Sequence, residues 1–317
     1  MTTVVRVHQY GPPSVLQVEE EQPGAPAQGQ VRLRQEAIGV NFVDTAFRDG
    51  SFGVPLPFVP GVEAAGVIEA VGPGVRGLAV GDRVGYFFVP GSYASVRLID
   101  ASALIKLPED ISTAQAASIM AKGLTAWMGL RALYQLKANE IVLVQGASGG
   151  VGSLISRWAK ALGATVIGTA GSADKLAQVA GVVDHAMRSD DPELAAKIRS
   201  LAPNGVDVVY EFVGRATFAS SVAAVREGGA ILTIGAASGQ PSMDQALLAA
   251  RGIRVAGGGM PQYVKGPSVA IATGELFDAF RRGVFGEIEV ARYPIAEAAR
   301  AHADIAARRR SGLPILV

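Results

Sequence analysis

The sequence has 317 residues, which is enough for two domains that each have their own hydrophobic core. The formal net charge of +1 gives no large electrostatic field, so we expect neither nucleic acid as the main partner nor a membrane surface. Cysteine is absent, which excludes disulfide bonds, thiolate nucleophiles and cysteine-ligated metal sites. No charge-free apolar stretch reaches the roughly 18 residues that span a bilayer, and we expect a cytoplasmic protein by default.

The three histidines give no sign of a metal site. His8, His185 and His302 are far apart in the sequence and lack the spacing of metal ligands. We expect each of them to lie at the surface or at the end of a strand. The sequence therefore predicts no bound metal.

Short strands and glycine turns are predicted from the N-terminus to about residue 120. Residues 31–35 alternate apolar with polar or charged side chains, as in a strand that is buried on one face. Glycines bound further strands at residues 61–72 and 80–85. The one helix predicted in this part covers residues 41–48. We expect these strands to form a barrel-like domain.

From about residue 123 the pattern changes to alternating strands and helices. Helical stretches at 172–180, 192–201 and 216–226 lie between apolar strand cores. The strand cores are predicted at residues 141–144, 165–168, 206–210, 230–234 and 253–256. Repeated β–α units of this length predict a parallel sheet with helices on both faces.

The C-terminal tail is too short for a domain of its own. It contains predicted helices at 269–282 and 295–310 and a last strand at 314–317, and we expect it to return to the N-terminal domain. The predicted fold class is α/β, with a doubly wound parallel sheet (Rossmann) domain at 123–265 and a β-barrel-type catalytic domain at 1–122 and 266–317. We expect the active cleft at the carboxyl ends of the parallel strands, where the two domains meet.

The strand core at residues 253–256 is predicted to lie at an edge of the parallel sheet. An edge strand presents backbone groups that can pair with a second copy of the chain across a two-fold axis. The sequence therefore predicts a homodimer.

The glycine-rich run that follows the strand at 141–144 points to a dinucleotide. It opens directly onto an amphipathic helix, so free backbone N–H groups at the helix N-terminus can meet a pyrophosphate. Gly149 and Gly152 supply two of the three glycines of the usual motif, and Ala147 stands at the place of the first. The run Gly149, Gly150, Val151 and Gly152 is the predicted phosphate cradle. Tight packing of the strand on the helix is the alternative role for these glycines.

The end of the second parallel strand favours NADPH over NADH. An NAD-specific site places a carboxylate about 20 residues beyond the glycine loop to bind the ribose 2′-hydroxyl. Here the strand end carries Gly171, Ser172 and Lys175, which offer space, a hydroxyl group and a cation. Asp174 lies among them, and we expect its side chain to face solvent at the start of the next helix. The alternative for Lys175 is an ordinary solvated helix residue.

Several segments together resemble the medium-chain dehydrogenase/reductase superfamily, in its zinc-free quinone oxidoreductase (zeta-crystallin-like) branch. They extend over essentially the whole chain in one register: IGVNFVD at 38–44, PGVEAAG at 60–66, VGDRV at 80–84, AKGLTA at 121–126, GGVG at 149–152 and WAKALG at 158–163. The resemblance implies a GroES-like domain beside the Rossmann domain. It also implies that Asn41 and Val62 stand where zinc-dependent relatives have a cysteine and a histidine ligand. Glu63, beside the lost histidine, is then expected to order its turn or to accept from a backbone donor.

The resemblance also implies roles for individual residues. Asn41 and Thr125 would lie near the nicotinamide, and the backbone at Val213 and Gly235 would border the nicotinamide ribose. The alternatives are a helix N-cap for Asn41 and an ordinary helix position for Thr125. Asp44 is expected to be structural.

Cations are expected around the 2′-phosphate of the cofactor. The resemblance assigns phosphate contacts to Gly171, Lys175 and Arg308. Many relatives have a tyrosine after the third strand, where this chain has Arg188 or a residue one or two places away. The alternative for the basic run at 308–310 is a favourable position at a helix C-terminus.

The substrate cleft departs from that of some bacterial relatives. Where those proteins carry two tyrosines, this chain has Ala46 and Phe52. A tyrosine proton donor is therefore excluded at these places. Phe52 either stacks on a flat substrate or packs within its loop.

These features predict an NADPH-dependent oxidoreductase that transfers hydride to a quinone or a similar small electrophilic acceptor without a metal. A metal-free site suits acceptors whose developing negative charge is already delocalised. The first alternative is a reductase of activated alkenes, namely α,β-unsaturated acids, ketones or thioesters. The second is a non-catalytic NADPH-binding protein with a structural or RNA-binding role.

Overall fold

The structure, a computed structural model that describes residues 1–307 and 312–317, divides the chain into two units. One unit comprises Met1–Ala121 and Glu287–Val317, and the other is Lys122–Gly286. We call them the discontinuous unit and the central unit. None of the helices in the described ranges has the length and apolarity that a bilayer crossing requires.

The strands and helices of the described residues follow each other in this order along the chain. The strands are β1 Thr2–Val7, β2 Leu16–Glu21, β3 Gln30–Gly39, β4 Glu63–Val71, β5 Arg83–Phe87, β6 Val96–Asp100, β7 Ile105–Lys106, β8 Ile141–Gln145, β9 Thr165–Ala170, β10 His185–Arg188, β11 Val206–Glu211, β12 Val225–Thr233, β13 Arg254–Gly257, β14 Val290–Tyr293 and β15 Leu313–Leu316. The helices are α1 Phe42–Arg48, α2 Thr113–Trp127, α3 Gly150–Ala161, α4 Ala173–Ala180, α5 Leu194–Leu201, α6 Phe218–Ala224, α7 Gln245–Ala250, α8 Ser268–Arg281 and α9 Ala298–Ala306.

The discontinuous unit is built on mostly antiparallel strands. Its larger sheet has the order β14-β15-β3-β4-β5-β7, with β6 also paired to β3, and β1 pairs with β2 in a separate two-stranded sheet. Buried and exposed positions alternate along much of β3, as the sequence predicts for residues 31–35. The core of this unit includes Leu33, Ile68, Tyr86 and Leu316, so the C-terminal strand β15 contributes to it.

The central unit contains a six-stranded parallel sheet in the order β10-β9-β8-β11-β12-β13. The cores of its middle strands are apolar, as is typical of parallel sheets with helices on both faces, and Leu143, Ile167, Val209 and Ile231 are fully buried. The predicted α/β fold class, with a parallel sheet in one unit and mostly antiparallel strands in the other, is confirmed. Strand β13 lies at the sheet edge, where the sequence predicts it.

Several elements were not predicted from the sequence. Helix α2 begins in the segment where only the helix at 41–48 was predicted. The strand β10 and the helix α7 were missed because β10 has only four half-buried residues and α7 only six. The predicted domain boundary at residue 266 differs from the division into units, in which the central unit continues to Gly286. Helix α8 belongs to the central unit because Leu276 packs directly over Gly123, and the Phe285 ring meets Trp158 edge-on at 5.4 Å.

Candidate active site

The glycine-rich turn joins β8 to α3 and leaves the helix N-terminus open. Gly146 has a φ of +79°, which an L-residue adopts with strain, and it makes the tight turn. Gly149 is the N-cap of α3. A Cβ atom on Gly152 would lie 2.2 Å from the carbonyl oxygen of Gly146, so this place admits only glycine. Ala147, at the position of the usual first glycine, is buried and donates its N–H to Thr169 O at 2.9 Å.

The same turn fits a dinucleotide pyrophosphate. Gly149, Gly150 and Val151 are partly exposed at the start of a twelve-residue helix, and the first turn contains no acidic residue. Backbone N–H groups at such an end attract anions. The packing role and the phosphate role of these glycines are therefore compatible, since Gly152 serves the first and the residues before it are open for the second.

The end of β9 has no carboxylate and leads directly into α4. Ser172 is the N-cap of α4, and its hydroxyl group accepts the Lys175 N–H at 3.4 Å. Asp174, in the first turn of α4, is exposed as expected. Gly171 is exposed too, so this corner of the sheet can accept a 2′-phosphate without repulsion from a strand-end carboxylate.

Arg188 lies at the same corner, as the last residue of β10. It is paired in register with Ala170, and its Nη2 is 3.5 Å from Gly171 O. Asp190 accepts from the guanidinium in a two-pronged pair, at 2.9 Å from Nε and 2.6 Å from Nη2. This hydrogen bonding from Arg188 lowers the pKa of Asp190. Asp190 is not among the predicted site residues, although a carboxylate two residues from a candidate phosphate ligand is a usable signal.

Two backbone turns lie side by side after β11 and β12. Val213 O accepts the N–H of Ser238 at 2.7 Å, and the Gly235 N–H donates to Glu211 O at 3.1 Å. A Cβ atom on Gly235 would lie 2.8 Å from Phe212 O, so the two turns approach as closely as glycine permits. The residues that the resemblance assigns to the nicotinamide ribose are thus brought together.

Asn41, in the discontinuous unit, is the N-cap of α1 and forms a capping box with Asp44. Its backbone N–H donates to Asp44 Oδ2 at 2.8 Å, and its side-chain Nδ2 donates to Glu63 Oε2 at 2.9 Å. The other oxygen of Glu63 accepts the Ala121 N–H at 2.6 Å. The predicted N-cap role of Asn41 is therefore confirmed, and Glu63 meets a backbone donor as expected.

A buried polar cluster extends from Asp44 to Arg48. The Tyr93 hydroxyl donates to Asp44 Oδ2 at 3.2 Å and lies 2.8 Å from His302 Nε2, while Arg48 Nη1 lies 3.2 Å from His302 Nδ1. The expectation of a surface or strand-end position for His302 is wrong, because this residue is fully buried on α9. Burial and the neighbouring Arg48 lower the pKa of His302 from 6.5 to about 3, so the imidazole is neutral.

The remaining predicted residues have varied surroundings. Phe52 is 62% exposed and tilts against Phe47 with a ring-centroid distance of 5.2 Å, and Phe42 beside Asn41 is 59% exposed. Thr125 is half-buried on α2.

Most of the predicted cofactor ligands belong to one unit. The residues at the carboxyl ends of the parallel strands of the central unit are Gly149, Gly150, Val151, Gly152, Gly171, Ser172, Lys175, Arg188, Val213 and Gly235. Asn41 and Phe52 belong to the discontinuous unit. Arg308 lies outside the described residues.

Comparison with known proteins identifies the family. Residues 27–109 match the alcohol dehydrogenase GroES-like domain, and residues 150–268 match the zinc-binding dehydrogenase family. A quinone oxidoreductase of Pseudomonas aeruginosa is 38% identical over 97% of both chains. A 2-haloacrylate reductase of a Burkholderia species is 36% identical over 100% of this chain and 99% of its own.

A solved structure agrees with these relatives. The quinone oxidoreductase of Escherichia coli complexed with NADPH superposes with a TM-score of 0.94 at 35% identity, over 99% of both chains. Fold and sequence together define a two-domain dehydrogenase/reductase. The chain belongs to the medium-chain dehydrogenase/reductase superfamily, in its zinc-free quinone oxidoreductase branch.

Proposed function

We propose that this protein is an NADPH-dependent oxidoreductase that transfers hydride to a quinone or a similar small electrophilic acceptor without a metal. The observation that carries the proposal is the whole-chain similarity to quinone oxidoreductases, one of them complexed with NADPH. The open N-terminus of α3 and the carboxylate-free end of β9 support the choice of cofactor.

Different backbone and side-chain groups would bind different parts of the cofactor. Gly150, Val151 and Gly152 would bind the pyrophosphate through backbone N–H groups, as helix N-termini do. Gly149, whose N–H donates to Gly146 O, would leave room for the phosphates. Ser172, Lys175 and Arg188 would bind the 2′-phosphate, and the backbone at Val213 and Gly235 would border the nicotinamide ribose. When bound, NADPH supplies the hydride, and the acceptor takes up one proton to become the hydroquinone or the saturated product.

Asn41 is assigned to the nicotinamide as a fixed amide rather than as a proton donor. Its Nδ2 is held by Glu63, and its backbone N–H is held by Asp44. An orienting group of this kind acts through position, because a preorganised group needs no rearrangement during the reaction.

The acceptor is assigned to two exposed aromatic residues of the discontinuous unit, Phe42, which follows Asn41 in the sequence, and Phe52. Phe42 and Phe52 present large apolar rings to solvent, and such rings favour a flat, aromatic acceptor. The second candidate function is reduction of activated alkenes, which the 2-haloacrylate reductase relative favours. In an alkene of this kind a carbonyl group already polarises the double bond.

The decisive experiment is oxidation of NADPH with a panel of acceptors. Turnover with p-quinones and little turnover with enones or 2-haloacrylates supports the quinone assignment, and the opposite pattern supports the alkene assignment. Tight NADPH binding without turnover of any acceptor would favour a non-catalytic role. Prolonged chelation should leave the rate unchanged, and a rate that is lost and then restored by zinc would contradict the metal-free assignment.

Strand β13 supports a homodimer. It is the terminal strand of the parallel sheet, so the backbone groups of its outer edge can pair with β13 of a second copy. Light scattering at micromolar protein should give twice the monomer mass, and a monomer would contradict the proposal. The cytoplasmic location stays a prediction that cell fractionation can check.

A further inference from the structure

Three adjacent parallel strands of the central unit end in buried polar side chains. Thr169 near the end of β9, Gln145 at the end of β8 and Glu211 at the end of β11 are all fully buried. Gln145 and Glu211 are direct partners in the sheet register. Buried polar groups of this kind are nearly always hydrogen-bonded, and their partners show what they hold in place.

The partners form one continuous chain of hydrogen bonds. The Gly146 N–H donates to Thr169 Oγ1 at 3.3 Å, and this hydroxyl group donates to Gln145 Oε1 at 2.6 Å. Gln145 Nε2 donates to Ser221 Oγ at 3.1 Å, and Ser221 Oγ donates to Glu211 Oε2 at 2.7 Å. Gln145 Nε2 also lies 3.2 Å from Ser220 Oγ, and Ser221 Oγ lies 3.1 Å from Thr217 O. The single proton of the Ser221 hydroxyl group has its shorter contact with Glu211, so the chain leads toward the carboxylate. We call Thr169, Gln145, Ser221 and Glu211 the strand-end relay.

The other oxygen of Glu211 holds the turn after β11. Glu211 Oε1 accepts the backbone N–H groups of Val213 at 2.8 Å and Gly214 at 3.0 Å, and also the Thr217 hydroxyl group at 2.8 Å. Gly214 has a φ of +90°, and a Cβ atom there would lie 2.4 Å from Gly239 O. The turn therefore has a single backbone course, which one carboxylate fixes from inside the protein.

We propose that the strand-end relay sets the position of the nicotinamide half of NADPH, with Glu211 as its positioning residue. The relay joins the glycine-rich turn at Gly146, which is assigned to the pyrophosphate, to the turn at Val213 and Gly214, which is assigned to the nicotinamide ribose. This inference rests on the proposed function, because the assignment of the two turns to the cofactor is part of that function. Its consequence is that the distance between the two halves of the cofactor site is set by buried side chains that never touch the cofactor.

The physical reason is that hydride transfer is sensitive to small displacements. A shift of about 1 Å at the reacting centre lowers a rate by on the order of a hundredfold. A hydrogen-bonded chain that ends on a buried charge is mutually polarised and stiff. Breaking one link loosens the spacing of the two turns while leaving the adenosine corner at Gly171 and Lys175 unaltered.

The test uses two variants and a matched control in the full-length protein. Ser221→Ala removes the middle link of the relay but keeps the bonds from Glu211 to Val213 and Gly214, and alanine suits helix α6. Glu211→Gln keeps the size of the side chain and removes its charge. The control is Ser156→Ala, which removes another fully buried serine of the central unit whose hydroxyl group donates to Gly152 O in its own helix.

Three quantities are measured: the dissociation constant of NADPH, that of adenosine 2′,5′-bisphosphate, and kcat with a quinone that the wild type reduces. We expect both relay variants to lose about tenfold in kcat, with less than about twofold change in bisphosphate binding, because this fragment reaches only the adenosine corner. NADPH deuterated separately on each face of C4 gives a second readout, since a displaced nicotinamide transfers the two labels less selectively. The control should match the wild type.

Equal weakening of NADPH and the bisphosphate would overturn the proposal, because it would show a general loss of structure. Relay variants that match the control in kcat and label selectivity would overturn it as well. Should Glu211→Gln fail to fold, Ser221→Ala alone decides the question. A wild type that neither binds NADPH nor oxidises it would instead contradict the proposed function, so the two failures are distinguishable.

Discussion

The adenosine corner of the central unit and the polar cluster of the discontinuous unit show two ways of building a site. In the corner, Gly171, Ser172 and Lys175 are close neighbours in the sequence, and the groups they present are largely backbone or capping groups. In the cluster, Asn41 is held by Glu63, which lies 22 residues away, and Arg48 meets His302 across 254 residues. The first arrangement is written in one short motif, whereas the second exists only once the fold has formed.

The two regions should also differ in what damages them. The corner and the glycine turn depend on space, on open N–H groups and on a cation. An added side-chain atom or the loss of the cation should therefore weaken cofactor binding. The cluster depends on buried charge and on full hydrogen bonding, because an unpaired polar group inside a protein is expensive. Substitutions in the cluster should therefore act on stability, and substitutions in the corner should act on cofactor binding.

The largest expected effect concerns His302 and acid. Its pKa in the folded protein is about 3 and its ordinary value is 6.5, so below pH 6.5 the unfolded chain binds a proton that the folded chain excludes. The free energy of unfolding should fall by about 2 kcal/mol from this group alone between pH 6.5 and pH 4.5. Denaturant unfolding at several pH values measures it. Besides Arg48, the groups that face this imidazole are the Tyr93 hydroxyl and, beyond it, Asp44.

Substitution separates this effect from general acid sensitivity. His302→Gln should be less stable at pH 7.5 but should lose distinctly less stability toward pH 4.5 than the wild type. His8→Gln removes an exposed histidine that pairs with Glu19 and is the matched control. Its slope should stay closer to that of the wild type than the slope of His302→Gln. Identical slopes of unfolding free energy against pH in all three proteins would show that the cluster does not govern acid stability. The two regions would then not differ in the role of buried charge.

The next largest effect is expected at Gly152. A Cβ atom there would lie 2.2 Å from Gly146 O, and backbone atoms can escape such a contact only if the whole turn shifts. Overpacking of this kind costs roughly 1–3 kcal/mol, so Gly152→Ala should weaken NADPH by about tenfold to a hundredfold, as measured by fluorescence titration. Gly274→Ala on α8 is the control, because nothing lies within 4 Å of an added Cβ atom there. Unchanged NADPH binding in Gly152→Ala would contradict the cradle.

The same contrast explains what the sequence could predict. Apolar strand cores, the helix after the glycine turn and the carboxylate-free end of β9 are local patterns, and the structure has them within a few residues. The pairs Tyr93–His302 and Gln145–Ser221 are not local, because they depend on which strand ends and helices meet. A buried histidine and an exposed one look alike in a sequence.

The domain boundary shows the same limit. The sequence prediction ends the parallel-sheet domain at residue 265, whereas the central unit also includes α8, where Leu276 packs over Gly123, and Phe285, whose ring meets Trp158. Nothing in the amphipathic pattern of a helix says which sheet or helix its apolar face will meet. Long-range packing decided that, as it decided the surroundings of His302.

A tenfold effect is expected at Lys175. Its position in the first turn of α4, beside Ser172 and the exposed Gly171, suits a charge-assisted contact with the 2′-phosphate. Such a contact is worth roughly 1.5–3 kcal/mol, so Lys175→Ala should weaken NADPH by about tenfold or more and leave NADH almost unchanged. The control is Lys197→Ala on α5, where the ammonium group pairs with Asp191. Equal losses for both cofactors, or a wild-type preference for NADH, would place the phosphate elsewhere.

The smallest effect is expected at Asp190. Here the adenosine corner contains a charged pair, Arg188–Asp190, and so resembles the polar cluster of the discontinuous unit. Asp190 occupies the Nε and Nη2 edge of Arg188, which is the edge that also fits a phosphate. The Asp190 side chain is 62% exposed, so it can return to water at small cost, but its negative charge still repels the incoming phosphate. Asp190 should therefore reduce the preference for NADPH.

Asp190→Asn should accordingly tighten NADPH by about twofold to fivefold, leave NADH unchanged, and lose its advantage as salt rises from 0.05 to about 0.5 M. The opposite sign is informative: weaker NADPH binding would mean that Asp190 holds Arg188 in place for the phosphate. Arg188→Ala separates the two mechanisms. In that background Asp190 still repels the phosphate, but it no longer has a guanidinium group to hold in place. If Asp190→Asn tightens NADPH binding both with and without Arg188, the Asp190 charge itself weakens binding of the 2′-phosphate. The affinity of the adenosine corner would then depend on a charge that lies outside the motif at the end of β9.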